Sequence, residues 1–228
     1  MKLLGINGRL KLKKEVSKCH TIEDYIDLAY SFHIFFIPFL RPGQIKEEIS
    51  ELLNFLVKIK PKVICEIGTA GGGTFFLLSK ISSPDAYLIS IDLPGGIFGG
   101  GYPEWKIPFY KSFATGDQKI FLIRENSHNP KTVLKLKRIL GQRKLDFLFI
   151  DGDHTYKGVK KDFQIYGNLV RKGGFVAFHD IIHGPTECVG GVPKFWKEIR
   201  KKFKYREIFK SREQGGYGIG ILYKNIEK

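Results

Sequence analysis

The chain has 228 residues, of which 43% are hydrophobic and 27% charged, and its formal net charge is +15. This balance supports a single α/β domain with a sizeable core and excludes wholesale disorder. Three cysteines and the absence of an apolar run of about 18 residues exclude a disulfide scaffold, a cysteine-rich zinc site and a membrane-spanning helix.

The first 60 residues precede the first predicted strand and show helical patterns. One stripe at helical spacing consists of Ile45, Ile49, Leu52 and Leu56. Pro61 ends that helix, and residues 21–32 predict another. Because no linker-like composition follows, we interpret residues 1–60 as a helical cap on a domain formed by residues 61–228. The basic N-terminus lacks the apolar stretch of a secretory signal, so we expect a cytoplasmic location.

From residue 62 onward, short apolar runs alternate with helical periodicity. Five runs predict strands: Val63–Ile67, Ala86–Asp92, Ile120–Arg124, Asp146–Asp151 and Phe175–Asp180. Continuous apolar runs are typical of strands that are covered on both faces of a parallel sheet. Stripes within residues 133–140 and 157–171 predict helices between the strands. The repeated order of strand, helix and strand predicts right-handed crossovers and a doubly wound sheet.

The C-terminal part of the chain follows a different pattern. Residues 192–203 predict a helix, and Tyr205–Phe209 and Gly218–Leu222 predict two strands joined by a short turn. A short connection favours an antiparallel pair. The sequence therefore predicts an α/β fold with a sheet of seven strands, mostly parallel, that ends in an antiparallel hairpin.

A glycine-rich loop, residues 66–74, follows the first predicted strand and reads E-I-G-T-A-G-G-G-T. Such a turn between a strand and a helix lets backbone N–H groups approach a ligand closely. The dinucleotide fingerprint G-x-G-x-x-G is not met, because Ala70 occupies its second glycine position. Glu66 and Asp92 instead suit an adenosine ligand without a pyrophosphate, since an acid at the end of the second strand can accept hydrogen bonds from a ribose. The alternative is that the glycines serve only a tight turn.

Four stretches of the chain carry a family pattern. They are P-K-V-I-C-E-I-G-T-A-G-G-G-T (61–74), I-D-L-P-G-G (91–96), F-I-D-G-D-H-T-Y-K-G-V-K-K-D-F (149–163) and G-G-F-V-A-F-H-D-I (173–181). In these motifs the chain resembles class I S-adenosylmethionine-dependent methyltransferases, and within them the cephalosporin hydroxylase-like and sugar O-methyltransferase branch. The resemblance implies a Rossmann-like fold and S-adenosylmethionine as cofactor.

The resemblance also implies a cofactor site. Glu66, Gly68 and Thr74 would shape the pocket for the methionine end of the cofactor. Asp92 would hold the ribose, and residues 126–127 match the adenine side. The expected cofactor-binding residues are Glu66, Gly68, Thr69, Ala70, Gly72, Thr74, Asp92, Asn126, Ser127 and Asp151.

Acidic and histidine residues end the fourth and fifth predicted strands. Asp151 ends the fourth, and His179 and Asp180 end the fifth. Because neighbouring parallel strands lie about 4.8 Å apart, we expect these side chains to converge at the ligand-binding edge of the sheet. Two carboxylates and an imidazole suit one divalent cation, Mg²⁺ or Mn²⁺, and the imidazole would also accept iron or zinc. Asp153 is an alternative metal ligand, and its alternative role is to cap the next helix.

Two histidines are candidates for a general base. His154 lies three residues after Asp151 and just outside the strand, and the unperturbed pKa of histidine is near working pH. We therefore predict that His154 and Asp151 are the catalytic residues. His183, on the loop after the fifth strand, is the second candidate.

A long loop, residues 93–116, combines six glycines with several aromatic residues. A loop of this length suggests a lid over a pocket. Its aromatic residues Tyr102, Trp105 and Tyr110 would either stack on a sugar or aromatic ring or pack the loop onto the core.

The motifs together predict metal-assisted transfer of a methyl group from S-adenosylmethionine to a hydroxyl of a small molecule, such as a sugar or glycoside. Lysine and arginine concentrate in residues 1–20 and 194–212, which we interpret as the exposed faces of terminal helices, although the charge also permits an anionic acceptor or RNA. The alternatives are an RNA methyltransferase, an NAD-dependent oxidoreductase and a non-catalytic cofactor-binding protein. We expect no membrane partner, and family habit implies a homodimer formed through the N-terminal region.

Overall fold

The computed structural model describes residues 2–96, 98 and 100–224. Its α-helices are α1 (Lys2–Val16), α2 (Ile22–Ser31), α3 (Lys46–Leu56), α4 (Gly73–Ile81), α5 (Ile107–Lys111), α6 (Pro130–Leu140), α7 (Tyr156–Tyr166), α8 (Thr186–Val189) and α9 (Val192–Ile199). Its β-strands are β1 (His33–Ile34), β2 (Ile37–Pro38), β3 (Val63–Ile67), β4 (Tyr87–Ile91), β5 (Lys119–Ile123), β6 (Leu145–Ile150), β7 (Val170–Phe178), β8 (Lys204–Ile208) and β9 (Ile219–Tyr223). None of the described helices combines the length and apolarity needed to cross a membrane.

Seven strands form one sheet in the order β5-β4-β3-β6-β7-β9-β8. Neighbours from β5 to β7 are parallel, and β9 runs antiparallel between β7 and β8. The predicted sheet, mostly parallel with a C-terminal antiparallel hairpin, is confirmed. The largest difference is at β7, which begins at Val170 rather than Phe175. Gly173 and Gly174 interrupt the apolar pattern there, so the sequence hides the first part of this strand.

Apolar residues cover both faces of the sheet, as continuous apolar strands predict. In β3, Val63, Cys65 and Ile67 face a core cluster that includes residues of α6, α7 and α9. Ile64, between them, faces a second cluster formed with residues of α1 to α5. Successive side chains of a strand point to opposite faces, so this central strand links the two cores.

The N-terminal helices pack on one face of the sheet. Helix α2 begins with a capping box, in which Thr21 Oγ1 accepts from the backbone N–H of Asp24 (3.1 Å) and Asp24 Oδ2 accepts from that of Thr21 (2.8 Å). Helix α1 was not predicted, because its inner face is built around Gly5, Gly8 and Leu12 and carries no regular apolar stripe. The division of the chain at residues 60 and 61 stays a prediction.

The predicted lid loop is partly helical, with a 3₁₀ turn at Glu104–Lys106 followed by α5. Tyr102 is 2% exposed and Tyr110 is fully buried, and their ring centroids are 4.6 Å apart. Trp105 is half-buried, 5.7 Å from the ring centroid of Phe39. These aromatic residues pack the loop onto the core, so the stacking role suggested for Tyr102 and Tyr110 is wrong. Residues 97 and 99 of this loop lie outside the described residues.

Candidate functional site

The site lies where the order of the sheet reverses. From β3 the chain proceeds outward to β4 and β5, and it then returns to place β6 on the other side of β3. Gly68 follows β3 and Asp151 follows β6. A Cβ on Gly68 (φ +89°) would lie 1.9 Å from the carbonyl oxygen of Asp151, so only glycine fits. Ligands of doubly wound sheets bind at such a reversal point.

Asp92 supports the glycine-rich loop from the end of β4. Its Oδ2 accepts a hydrogen bond from the backbone N–H of Ala70 at 3.0 Å, and the residue is 3% exposed. Burial raises the pKa of Asp92 to about 6, although hydrogen bonds from backbone N–H groups favour the carboxylate. The end of β4 therefore presents a carboxyl group that titrates near neutral pH.

A first cavity of about 310 Å³ opens beside Asp92. The predicted cofactor-binding residues that line it are Gly68, Ala70, Asp92, Asn126, Ser127 and Asp151. Glu125 and His128 also line it and were not predicted. Asn126 Oδ1 accepts from the backbone N–H of His128 at 2.8 Å, which fixes the turn after β5. The volume is in the range of small-molecule sites.

A second cavity of about 480 Å³ adjoins the first. Its predicted residues are Gly68, Thr69, Ala70, Thr74, Asp151, His154, His179 and Asp180. The walls common to both cavities are Gly68, Ala70, Phe98, Asp151 and His154. A ligand in one cavity therefore lies next to a ligand in the other across Asp151 and His154.

The loop before β9 forms the outer wall of the second cavity. Glu48, on α3, accepts from the backbone N–H of Gly218 (2.9 Å) and from Gln214 Nε2 (2.6 Å). Asp180 Oδ1 accepts from the backbone N–H of Tyr217 at 3.1 Å. These bonds hold residues 214–218 against the N-terminal helices and the end of β7.

The acidic and histidine residues after β6 and β7 lie together. His179 Nδ1 lies 3.1 Å from Asp151 Oδ1 and 3.5 Å from Asp180 Oδ2. His154 Nε2 lies 3.4 Å from Asp151 Oδ1, and His154 Nδ1 lies 3.3 Å from Asp180 Oδ2. The ligand atoms of Asp151, His154 and Asp180 all fall within 4.8 Å of one another. The structure thus brings His154, and not His179, together with Asp151 and Asp180 in this group, so the predicted set of Asp151, His179 and Asp180 is matched only in its two carboxylates.

The cluster is held by opposite charges. Burial alone would lower the pKa of both histidines, but the Asp151 carboxylate outweighs it and raises the pKa of His154 to about 9 and of His179 to about 10. Burial would likewise raise the pKa of Asp151, but the nearby His179 and His154 lower it. His179 Nε2 is buried and has no hydrogen-bond partner among the described residues.

Two alternative candidates lie apart from this cluster. Asp153 lines the first cavity, but its Oδ1 accepts from the backbone N–H of Thr155 at 2.9 Å, next to the N-terminus of α7. Asp153 therefore closes the turn before α7, whose N-cap is Thr155, and does not itself cap the helix. His183 is exposed and lines neither cavity.

Glu66 and Gly72 also line neither cavity. Glu66 is completely buried, and both of its carboxylate oxygens lack hydrogen-bond partners among the described residues. Burial raises the pKa of Glu66 well above its usual range. Its place beneath the loop corrects the expectation that it lines the cofactor pocket. Gly72 instead faces Tyr110, whose ring lies 2.6 Å from where a Cβ would be.

Two further residues of the site were missed by the sequence analysis. Gln44 Nε2 donates to Asp151 Oδ2 at 2.9 Å, and Gln44 Oε1 accepts from Thr74 Oγ1 at 2.5 Å. Phe98 stacks on His154 with ring centroids 4.9 Å apart. No local motif marks Gln44, which lies outside all four motif stretches. Phe98 was visible only as one of several aromatic residues in the loop.

Comparison with known proteins identifies the family. Residues 65–181 match the family described as "Methyltransferase domain". A 36-residue segment is 53% identical to the uncharacterized protein R132 of Acanthamoeba polyphaga mimivirus, and this match spans 16% of each chain.

Solved structures share the fold at low sequence identity. The O-methyltransferase TomG from Streptomyces achromogenes, in complex with SAM, is 17% identical, with 91% of each chain covered and a TM-score of 0.58. An O-methyltransferase from Bacillus cereus, in complex with SAH, is 16% identical, with 89% of this chain and 90% of that chain covered and a TM-score of 0.58. A putative caffeoyl-CoA O-methyltransferase from Staphylococcus aureus is 17% identical, with 95% and 99% covered and a TM-score of 0.60.

The family match includes the glycine-rich loop, Asp92, and the acidic and histidine residues after β6 and β7, and it covers half of the chain. The predicted enzyme class is confirmed at the level of the family. The chain therefore belongs to the methyltransferase domain family.

Proposed function

We propose that this protein transfers the methyl group of S-adenosylmethionine to a hydroxyl oxygen of a small molecule, such as a sugar or glycoside, with the help of a divalent cation. The observation that carries the proposal is the wall of Asp151 and His154 shared by the two cavities. The cavity beside Asp92 would hold the cofactor, and the second cavity would hold the acceptor. Transfer to oxygen is supported by the O-methyltransferases that share this fold.

The first cavity has the groups that an adenosine ligand requires. Asp92 lies at its wall with a buried carboxyl group that can accept hydrogen bonds from both ribose hydroxyls. Asn126 and Ser127 line the far part, where the base would lie. The backbone of the glycine-rich loop and Thr74 lie toward the second cavity, on the side of the methionine end.

The donor set of the second cavity fits a divalent cation. Asp151 and Asp180 offer carboxylate oxygens, and the imidazoles of His154 and His179 lie within contact distance of them. Carboxylates suit Mg²⁺ or Mn²⁺, and an imidazole that releases its proton to coordinate favours Mn²⁺ over Mg²⁺. A bound cation would lower the pKa of an acceptor hydroxyl.

His154 is placed to exchange a proton with the acceptor through one ring atom. Its Nδ1 lies 2.5 Å from the carbonyl oxygen of Cys188, and a carbonyl only accepts, so Nδ1 carries a hydrogen. Because the pKa of His154 is raised to about 9, Nε2 also holds a proton at neutral pH, so it would have to release that proton before it receives the one from the hydroxyl. The main contribution of the remaining residues is to hold the methyl donor and the oxygen in line, since positioning accounts for much of the rate.

The charge of the chain supports an acceptor that carries an anionic group. Arg41 lines the second cavity. A phosphate- or carboxylate-bearing sugar would use it, whereas RNA would require a longer basic track. A steep loss of acceptor affinity with salt would favour RNA.

Calorimetric titration with S-adenosylmethionine and S-adenosylhomocysteine, with and without Mn²⁺, tests the proposal. We expect both ligands to bind and Mn²⁺ to bind separately. Asp92→Asn should weaken cofactor binding, and Gln142→Met, at an exposed position far from both cavities, should leave it unchanged. Failure of both cofactor ligands to bind would overturn the proposal, and metal-independent turnover would remove the cation from it.

A further inference from the structure

We infer that Gln44 is a positioning residue that couples the glycine-rich loop to the acid–histidine cluster. Its side-chain amide forms hydrogen bonds with both Thr74 and Asp151. It therefore fixes the orientation of the Asp151 carboxylate and makes the Thr74 hydroxyl the donor of their hydrogen bond. The inference rests on the proposed function and extends it to a residue of the N-terminal cap.

The contacts of Gln44 are short and enclosed. The residue is 5% exposed, and its amide bonds to Asp151 Oδ2 (2.9 Å) and Thr74 Oγ1 (2.5 Å). The backbone carbonyl oxygen of Gln44 accepts a hydrogen bond from the Tyr30 hydroxyl at 2.7 Å. Gln44 and Asp151 are 107 positions apart in the chain, so this bond connects the cap directly to the end of β6.

The segment that carries Gln44 has little freedom to move. Pro42 N lies 2.1 Å from where a Cβ on Gly73 would be, at the first residue of α4. The carbonyl oxygen of Arg41 lies 3.1 Å from the corresponding position on Gly71. The backbone before Gln44 thus packs closely against the glycine-rich loop. This contact restricts the position of the Gln44 amide relative to Asp151.

The chemistry of the three groups determines the direction of each hydrogen bond. A carboxylate only accepts, so Gln44 must present its NH₂ group to Asp151. The side-chain oxygen Oε1 of Gln44 then faces Thr74, and the Thr74 hydroxyl must donate to it. A flipped amide would place two oxygens face to face at Asp151. Thr74 therefore offers only lone pairs to the cavity and suits a donor group of the ligand, such as an ammonium.

The same arrangement gives the two carboxylate oxygens of Asp151 different partners. Oδ2 is held by Gln44, whereas Oδ1 lies 3.1 Å from His179 Nδ1 and 3.4 Å from His154 Nε2. Holding one oxygen restrains rotation of the carboxylate and keeps the other directed into the cluster. Mutation of a residue that hydrogen-bonds to a metal ligand and so orients it typically lowers metal affinity or activity by about 10–100-fold.

Gln44→Met tests the coupling, because methionine keeps the length of the side chain and removes both hydrogen bonds. We expect the Kd for Mn²⁺, measured calorimetrically without cofactor, to rise about tenfold or more. Thr74→Val should also weaken Mn²⁺ binding, although Thr74 is not in the cluster, and this effect should vanish in the Gln44→Met background. A merely structural role for Gln44 would not produce that dependence. Gln142→Met is the matched control.

The outcomes separate this inference from the proposed function. Wild-type protein that binds neither Mn²⁺ nor S-adenosylmethionine contradicts the proposed function itself. Wild-type protein that binds both, with wild-type Mn²⁺ affinity in Gln44→Met, overturns the coupling alone. If Gln44→Met does not fold, Thr74→Val decides the question, because unchanged Mn²⁺ affinity in that variant is equally contrary to the inference.

Discussion

Phe98 lies flat against His154, with the two ring centroids 4.9 Å apart and the ring planes inclined by 19°. Both residues line both cavities. Phe98 therefore covers the imidazole at the boundary where methyl donor and acceptor would meet.

Phe98→Ala should raise the KM of the acceptor by about 3–10-fold, because a ring stack of this kind contributes about 0.5–1.5 kcal/mol beyond burial. The Kd for S-adenosylmethionine should change less, since the cofactor cavity keeps Asp92 and its other polar groups. Phe98→Tyr, which keeps the ring, is the control. Steady-state kinetics with an identified acceptor would contradict the assignment if Phe98→Ala behaved like Phe98→Tyr.

His154→Gln distinguishes a base from a metal ligand. If His154 receives the proton, kcat should fall at least about 100-fold, while the Kd for Mn²⁺ stays within about threefold of wild type. His179→Gln should show the opposite order, with the larger effect on Mn²⁺. An equal loss of Mn²⁺ affinity and turnover in His154→Gln would make His154 a ligand instead.

Most of the sheet could be predicted because its strands are buried on both faces and read as apolar runs. The run at Val63–Ile67 matches β3 residue for residue. The start of β7 and the whole of α1 could not be predicted, since glycines replace the apolar side chains that would mark them. In both places the packing partner, and not the local pattern, determines the structure.

Asp92 should make cofactor binding depend on pH. Its pKa in the folded protein is raised to about 6 by burial, so the carboxylate that accepts from the ribose is lost as the pH falls through that value. The Kd for S-adenosylmethionine should therefore rise about tenfold between pH 7.5 and pH 5. Asp92→Asn, measured over the same range, should give weaker binding with a flat profile. Parallel profiles for the two proteins would exclude Asp92 as the titrating group.

Glu66 should make the folded protein less stable as the pH rises. A carboxylate in an ion pair would have the opposite effect. Its pKa is raised by burial in the folded state, so the folded protein holds a proton that the unfolded chain releases above about pH 4.5. Stability from this group therefore falls as the pH rises above that value. In Glu66→Gln, the Tm should decline less between pH 5 and pH 8, and the protein should be more stable at pH 8 by about 1–3 kcal/mol.

The same variant also tests where Glu66 acts. Because Glu66 lines neither cavity, the Kd for S-adenosylmethionine should stay within about threefold of wild type, which is less than the loss of one charged hydrogen bond would cause. A larger loss of cofactor affinity with an unchanged Tm profile would restore the role that the family resemblance implied.

Gly68→Ala should be strongly destabilising. A methyl group there meets the carbonyl oxygen of Asp151 at 1.9 Å, and φ is +89°. Steric overlap and backbone strain together should cost about 3 kcal/mol, or about 6–12 °C in Tm. Gly141 also has a positive φ (+58°) but has nothing within 4 Å, so Gly141→Ala should cost only about 1 kcal/mol. Calorimetric melting of both variants checks the difference, and equal shifts would refute the close approach.

The sequence predicts only those residues of the site that lie at the ends of strands. Asp151, His179 and Asp180 end neighbouring parallel strands, so topology alone places them at one edge of the sheet. Gln44 lies before the first strand of the main sheet, and nothing in its neighbourhood signals its contact with Asp151. The cytoplasmic location and the homodimer stay predictions, since neither depends on contacts within the chain.

The bonds from Glu48 to Gln214 and Gly218 bear on how the protein is made. Residue 48 leaves the ribosome long before residues 214–218, yet the outer wall of the second cavity exists only when they meet. β9, the last of the described strands in the chain, also lies between β7 and β8, so the sheet is complete only when β9 has paired with both. A nascent chain that has finished all five parallel strands therefore still lacks the outer wall of the second cavity, until the hairpin has been synthesised and packs against α3.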